Sequence, residues 1–230
     1  MIPPFPVYLF DVDGTLLESA PDIVGATRQV LAAHGAPPLS FSYLSSFIGK
    51  QLRELFVEVF PDASDEFVEQ LTQEYRETYW AREHASTKPY PGVLEGIRAL
   101  GGRKGTATTK STATTRVVLT KFGLIDCFAH VQGTDGFPAK PHPDVIWRAL
   151  DGLGAQPEDC LFVGDSTSDM AAGRAAGVRI CAVDYGYGNH EEMRRYEPDY
   201  WISDLRELSA STHGVQVEAP PSTTAASRRS

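Results

Sequence analysis

The sequence predicts an α/β protein in which a helix-covered parallel sheet is interrupted by an all-helical domain inserted early in the chain. Two observations lead to this prediction. From residue 88 onward, short apolar runs alternate with helical patterns, which is typical of a parallel sheet. Residues 18–87 instead show helical spacing of apolar residues and no strand pattern. We therefore expect a core domain from residues 1–17 and 88–208 and a helical domain from residues 18–87.

The first strand is predicted at residues 7–10, a run that is apolar, partly aromatic and followed by turn residues. A helix follows, because Ser19 can cap its start, Pro21 suits its first turn and Gly35 is placed to end it. The remaining helices of the inserted domain are predicted at residues 40–47, 51–60 and 64–83. We expect hinges at residues 18–20 and 87–90, where the two predicted domains join.

The second part of the chain alternates between the two kinds of element. Strands are predicted at residues 104–109, 128–132, 160–163, 178–183 and 200–202. Helices are predicted at residues 91–100, 112–122, 142–153, 169–176 and 189–196. Residues 209–230 are rich in Ser, Thr, Ala and Pro and show no apolar period, so we expect a disordered tail there.

Composition excludes several classes of function. The net charge of −9 offers no basic surplus for general nucleic-acid binding. No apolar run approaches the roughly 20 residues that span a bilayer, and the N-terminus lacks the pattern of a signal peptide. The three cysteines are an odd number with no close pair, which favours reduced thiols. We expect a cytoplasmic monomer or homodimer with no nucleic-acid or membrane partner.

Two aspartates directly follow the first predicted strand. Ligands of parallel sheets bind beyond the carboxyl ends of the strands, which is where Asp11 and Asp13 fall. Two such close carboxylates repel each other, and a divalent cation would relieve both the repulsion and the desolvation cost. Gly14 permits an unusual backbone angle or the close approach of a ligand, and Thr15 can donate a hydrogen bond to a phosphate oxygen. The alternative is an ordinary polar turn, for which Asp-Gly is also typical.

Three further polar clusters each follow a predicted strand or precede a helix. Hydroxyls at residues 106–109 can bind a phosphate oxygen at a helix N-terminus, although a simple helix cap explains them as well. Lys140 lies beside two prolines that hold its backbone, so its ammonium could neutralise a phosphate; an exposed lysine is the alternative. Asp165 and Asp169 offer hard oxygen ligands to a cation, unless Asp165 or Ser166 merely caps a helix.

Together, in this order, the clusters resemble the four motifs of the haloacid dehalogenase superfamily. The matching segments are Asp-x-Asp-Gly-Thr-Leu at residues 11–16, a Thr or Ser that closes a strand, Lys-Pro-x-Pro at 140–143 and Gly-Asp-x-x-x-Asp at 164–169. Thr108 matches the second motif, or Thr106 or Thr109 if the strand end is shifted. The resemblance implies a Rossmann-like core with a mobile helical cap and is nearest to the phosphoglycolate phosphatase-like branch.

The resemblance also implies an activity, namely magnesium-dependent hydrolysis of a small phosphorylated metabolite. Asp11 would be the nucleophile that forms an aspartyl-phosphate, and Asp13 would act as general acid and base. Mg²⁺ would be held by Asp11, the backbone carbonyl of Asp13 and Asp165, with Asp169 bound directly or through water. Thr108 and Lys140 would hold the phosphoryl oxygens.

Substrate contacts are expected from Gly14, Thr15 and Thr109 around the phosphate. In the helical domain, Gly49 breaks the helical pattern at a polar point, so Lys50, and also Arg53, could read a second anionic group of the substrate. The alternative for both is an ordinary surface charge.

Two other functions share the motifs. A phosphomutase would pass the phosphoryl group to a second hydroxyl instead of water. A phosphate-binding protein would bind the ester without converting it.

Overall fold

The computed structural model describes residues 2–209, so all but the first residue of the tail predicted at 209–230 lies outside the described residues. Ser209, which we assigned to that tail, is buried after a short 3-10 helix. The described strands are β1 (Val7–Phe10), β2 (Leu17–Glu18), β3 (Lys88–Pro89), β4 (Arg103–Ala107), β5 (His130–Gln132), β6 (Cys160–Gly164), β7 (Arg179–Val183) and β8 (Tyr200–Ile202). The described α-helices are α1 (Ala20–Ala33), α2 (Phe41–Ser45), α3 (Leu52–Val59), α4 (Asp65–Ala81), α5 (Val93–Ala99), α6 (Thr112–Lys121), α7 (Asp144–Leu153), α8 (Thr167–Ala176) and α9 (His190–Arg194).

Six of the strands form one sheet, in the order β5-β4-β1-β6-β7-β8. Every neighbouring pair in it is parallel. This confirms the predicted α/β fold class. Strand β1 lies between β4 and β6, so its carboxyl end is located near the middle of the sheet edge.

The central strand is buried on both faces. Its side chains alternate, as the two-residue period of a strand requires. Tyr8 and Phe10 belong to an apolar cluster that includes residues of α5 and α6. Val7 and Leu9 belong to a second cluster that includes residues of α7 and α8. Helices therefore cover both faces, which explains why the run is continuously apolar.

Between β2 and β3 lie helices α1 to α4, which we call the helical insertion (residues 19–87). The insertion has an apolar cluster of its own, built around the fully buried Phe56 and Leu71. Among residues 2–209, no helix combines the length and the apolar character that crossing a membrane requires.

The expectation that residues 18–87 contain no strand is wrong at Glu18. Strands β2 and β3 form an antiparallel pair, in which Leu17 lies opposite Pro89 and Glu18 opposite Lys88. We call this pair the junction ribbon. It escaped the sequence analysis because two residues are too few to establish a two-residue period. The two chain segments that connect the insertion to the rest of the chain therefore run side by side.

Candidate active site

The site begins where β1 ends. The Asp11 amide still donates to the Val163 carbonyl of β6 at 2.9 Å, so sheet pairing carries Asp11 to the carboxyl edge. The chain then turns sharply, because the Leu17 amide donates back to the Val12 carbonyl at 2.9 Å. Gly14 adopts a φ of +93° in this turn, a value that suits glycine.

Three carboxylates and one lysine meet at this edge. One oxygen each from Asp11, Asp165 and Asp169 can be chosen so that all three lie within 4.8 Å of one another. The Lys140 ammonium lies 2.9 Å from Asp11 Oδ1 and 2.5 Å from Asp169 Oδ1. It also donates to the Ala107 carbonyl at 3.1 Å. Lys140 is fully buried, so it is not the exposed lysine of the alternative interpretation.

Burial governs the ionisation of this cluster. It raises the pKa of Asp11 to about 6, although the Lys140 ammonium opposes the shift. It also raises the pKa of Asp165 well above its ordinary value, and Asp169 and Asp11 add to that shift by repulsion. Burial would lower the pKa of Lys140, but Asp11 and Asp169 raise it instead. The lysine therefore stays charged between its two carboxylate partners.

Asp169 lies in the first turn of α8 and is not its first residue. The helix begins at Thr167, two residues earlier than predicted, with Ser166 as its N-cap. Asp169 Oδ2 accepts hydrogen bonds from the Ser166 amide at 2.9 Å and from the Ser166 hydroxyl at 2.6 Å, which completes a capping box. Its other oxygen faces Lys140. Ser166 therefore caps α8, as one alternative predicted, while Asp169 also belongs to the carboxylate cluster.

Asp165 is held by two donors and by close packing. Its Oδ1 accepts from the Thr15 hydroxyl at 2.8 Å, and its Oδ2 accepts from the Tyr187 amide at 2.9 Å. A Cβ added at Gly14 would lie 2.2 Å from Asp165 Oδ2. The structure thus places both Gly14 and Thr15, which we expected beside the phosphate, against the Asp165 carboxylate.

Asp13 faces a different partner. Its Oδ2 lies 3.1 Å from the Lys110 ammonium, which also donates to the Tyr79 hydroxyl of α4 at 3.1 Å. Burial would lower the pKa of Lys110, but Asp13 raises it above its ordinary value. Lys110 belongs to the second polar cluster of the sequence, where no role was predicted for its charge. Its signal was present, since it directly follows the hydroxyl cluster at residues 106–109.

Thr108 lies immediately after β4 and is fully buried. Its hydroxyl accepts a 3.4 Å hydrogen bond from the Lys110 amide. Thr106, one of the two alternatives, donates to the Gln132 carbonyl of β5 at 3.0 Å, so its hydroxyl is engaged within the sheet. Thr109, the other, is half-buried and lines the cavity described next.

A cavity of about 600 Å³ lies between the helical insertion and the sheet edge. Asp13, Thr109 and Lys110 line it from the sheet side, and Lys50 and Arg53 line it from the insertion. Lys50 lies over the Phe47 ring, 4.9 Å from its centroid, and Arg53 pairs with Asp65 on the insertion. Both predicted cations therefore share one cavity with Asp13.

The carboxylate cluster fits a divalent cation by charge and by donor chemistry. Three carboxylates and the Lys140 ammonium give a net charge of −2 when all are ionised. Carboxylate oxygens are the ligands that hard divalent cations prefer. Asp13 Oδ1 is buried and accepts no hydrogen bond from any residue in the described range 2–209. The Asp13 side chain is not part of the cluster.

Known proteins resemble this chain over nearly its whole length. The model of the haloacid dehalogenase-like hydrolase family matches residues 8–183. A phosphoglycolate phosphatase from Xylella fastidiosa is 32% identical over 200 residues, which span 85% of this chain and 86% of that protein. An N-acetylmuramic acid 6-phosphate phosphatase from Pseudomonas aeruginosa is 32% identical over 209 residues, which span 86% of this chain and 88% of that protein.

Solved structures agree with these relatives. A haloacid dehalogenase-like hydrolase from Bacteroides fragilis superposes with a TM-score of 0.83 at 33% identity, covering 89% of this chain and 99% of that one. The family match spans every motif from Asp11 to Asp169. The chain belongs to the haloacid dehalogenase-like hydrolases and is a phosphoric monoester hydrolase of the phosphoglycolate phosphatase-like branch.

Proposed function

We propose that the protein hydrolyses a small phosphate ester of a carboxylic acid, with Mg²⁺ as its cofactor and a phosphoaspartate on Asp11 as its intermediate. Residues 1–17 and 88–208 form the catalytic core, and residues 18–87 close over it as a cap. The observation that carries this proposal is the contact between Asp11 and the fully buried Lys140 inside a cluster of three carboxylates.

Asp11 is the nucleophile. Its carboxylate oxygen attacks phosphorus, and the bond from phosphorus to the ester oxygen breaks. Lys140, 2.9 Å from the attacking carboxylate, neutralises charge on the transferring group. Thr108, buried at the end of the neighbouring strand, donates a hydrogen bond from its hydroxyl to a phosphoryl oxygen.

Asp13 transfers the protons. It protonates the leaving alkoxide and then removes a proton from the water that hydrolyses the aspartyl-phosphate. Its place on the cavity wall gives it access to the leaving group of a bound ester. The Lys110 ammonium, 3.1 Å away, holds the carboxylate in this orientation.

Asp11, the Asp13 carbonyl and Asp165 would hold the metal, with Asp169 bound directly or through water. When bound, Mg²⁺ supplies positive charge to the phosphoryl oxygens. Asp169 also accepts from Lys140 with one oxygen and takes part in the cap of α8 with the other.

The substrate class follows from the cavity and the relatives. The names of both phosphatase relatives denote phosphate esters of acids. Lys50 and Arg53 place two cations on the cavity wall opposite Asp13, where they attract the second anionic group. Replacing Lys50 with Ala raises KM for such an ester. Arg28→Ala is the matched control, since Arg28 is an exposed cation of the same insertion whose guanidinium donates to the Leu39 carbonyl within that insertion. An unchanged KM in Lys50→Ala contradicts this role.

The main test measures phosphate release from 2-phosphoglycolate, N-acetylmuramic acid 6-phosphate and uncharged-alcohol phosphates, with Mg²⁺ or with a chelator. We expect metal-dependent release that Asp11→Asn abolishes and that Asp62→Asn, at an exposed turn of the insertion, preserves. An isomeric ester with little free phosphate identifies a phosphomutase instead. No conversion of any ester contradicts the proposal.

A further inference from the structure

A short segment after β7 connects the predicted metal site with the start of the helical insertion. It comprises residues 185–188, Tyr-Gly-Tyr-Gly, and neither the motifs nor the proposed chemistry uses it. At one end, the Tyr187 amide donates to Asp165 Oδ2 at 2.9 Å. The backbone of this segment therefore fixes one oxygen of a carboxylate that we assign to the metal.

At the other end, the segment reaches both connections of the insertion. The Tyr187 hydroxyl oxygen accepts hydrogen bonds from the amides of Ser19 at 2.8 Å and Ala20 at 2.9 Å. Tyr90, which directly follows the junction ribbon, packs against Tyr185 with the ring centroids 4.7 Å apart. The segment thus contacts Asp165 and both sides of the junction, and Tyr187 itself joins Asp165 to the start of α1.

The Tyr187 hydroxyl also replaces a missing helix cap. The first amides of a helix lack partners within the helix, and a Ser at the N-cap commonly satisfies one of them. Our expectation that Ser19 caps α1 is wrong, because its side chain makes no capping hydrogen bond. The Ala20 amide, the first of α1, is satisfied from Tyr187 instead. The order of the first turn of α1 therefore depends on a residue held against Asp165.

Close packing makes this connection stiff. A Cβ added at Gly186 would lie 2.2 Å from Asp165 Cβ, and one added at Gly188 would lie 2.0 Å from the Asp165 carbonyl oxygen. The Tyr185 hydroxyl donates to the Thr15 carbonyl at 2.9 Å, and Thr15 in turn donates to Asp165. Because no space separates the segment from Asp165, a displacement of one displaces the other.

We propose that Tyr187 is a positioning residue that couples cation binding at Asp165 to the order of the junction where the helical insertion begins. The inference rests on the proposed function in one respect, the assignment of Asp165 to the metal. A cation that fixes Asp165 fixes the Tyr187 backbone and ring, and the hydroxyl then holds the Ser19 and Ala20 amides. Coupling of this kind is reciprocal, so the junction contacts strengthen cation binding by the same factor.

The test uses the whole chain, Mg²⁺ alone as the probe, and Tyr187→Phe, which removes the hydroxyl but keeps the ring and the amide. Amide hydrogen exchange is resolved at Ser19 and Ala20 with and without Mg²⁺, and the Kd for Mg²⁺ is measured by calorimetry. We expect Mg²⁺ to slow exchange at both amides in the wild type and not in the variant. The Kd should rise about 3- to 10-fold, as loss of a hydrogen bond predicts.

Tyr43→Phe is the matched control, because its hydroxyl donates to Glu58 within the insertion and does not reach the junction. It should retain the wild-type Kd and the wild-type response to Mg²⁺. Equal slowing in Tyr187→Phe, or magnesium binding to the wild type without any slowing, overturns the coupling and leaves the proposed hydrolysis intact. If the wild type does not bind Mg²⁺, both the coupling and the proposed cofactor are wrong.

Discussion

Removing the buried ammonium of Lys140 tests how the carboxylate cluster is stabilised. Lys140 contacts Asp11 at 2.9 Å and Asp169 at 2.5 Å. Within residues 2–209, no other lysine or arginine forms an ion pair with Asp11, Asp165 or Asp169. Replacing Lys140 with Met keeps an unbranched side chain and changes the net charge of the four groups from −2 to −3. We expect the metal-free protein to fold less stably and the activity to be lost.

The expected magnitude follows from the burial of the pair. Removing one partner of a buried ion pair costs about 3–5 kcal/mol, because the other partner stays buried without compensation. A domain has about 5–15 kcal/mol of stability in total, so the loss is large. Adding Asp169→Asn returns the net charge to −2 and leaves an amide oxygen to accept from Ser166. The double variant should therefore recover about half or more of the lost stability while remaining inactive.

Urea unfolding in a chelating buffer measures these free energies for the wild type, both single variants and the double variant. We expect a favourable coupling between the two substitutions. A Lys140→Met variant as stable as the wild type would show that the ammonium does not stabilise the cluster. A double variant that loses the sum of the two single losses would show the same.

Three further predictions concern the same site and its connection to the insertion. Gly14→Ala should weaken Mg²⁺ binding at least about tenfold by calorimetry, because the added Cβ would lie 2.2 Å from Asp165. Gly35→Ala is the control, since Gly35 also has a positive φ but free space around it, and this variant should lose only about 1–2 kcal/mol of folding stability. In chelator, the stability of the wild type relative to Asp11→Asn should fall as pH rises from 3.8 to about 6, since the raised pKa means that the folded state binds the proton more tightly; denaturant melts across that range measure it. Asp22→Ala should destabilise the protein by about 2–4 kcal/mol in urea unfolding, because this buried carboxylate accepts three hydrogen bonds from the end of the insertion.

The sequence predicted the carboxyl-edge residues because their positions follow from sheet topology. Asp11 directly follows an apolar run and Asp165 follows another after a single glycine, and parallel strands bring such positions to one edge. The capping box of Ser166 and Asp169 was also readable from their spacing, although we placed the start of the helix two residues late.

Contacts between distant segments could not be predicted in this way. Lys110 meets Tyr79 across 31 positions, and Tyr187 meets Ser19 across 168. Neither contact leaves a periodic pattern in the sequence. Ser19 shows the consequence: it has the residue type and position of a helix cap, yet a distant hydroxyl satisfies the helix instead.

The proposed hydrolysis depends on phosphorylation of Asp11 during turnover. The most direct measurement quenches the enzyme with its best substrate and Mg²⁺, reduces any acyl phosphate with borohydride, and locates the resulting homoserine by peptide mass spectrometry. Asp13→Asn serves as a second sample, in which loss of the general acid and base should slow both formation and hydrolysis of the intermediate. We predict modification at Asp11 alone. Turnover without modification at Asp11, or with modification at Asp165, would contradict this mechanism.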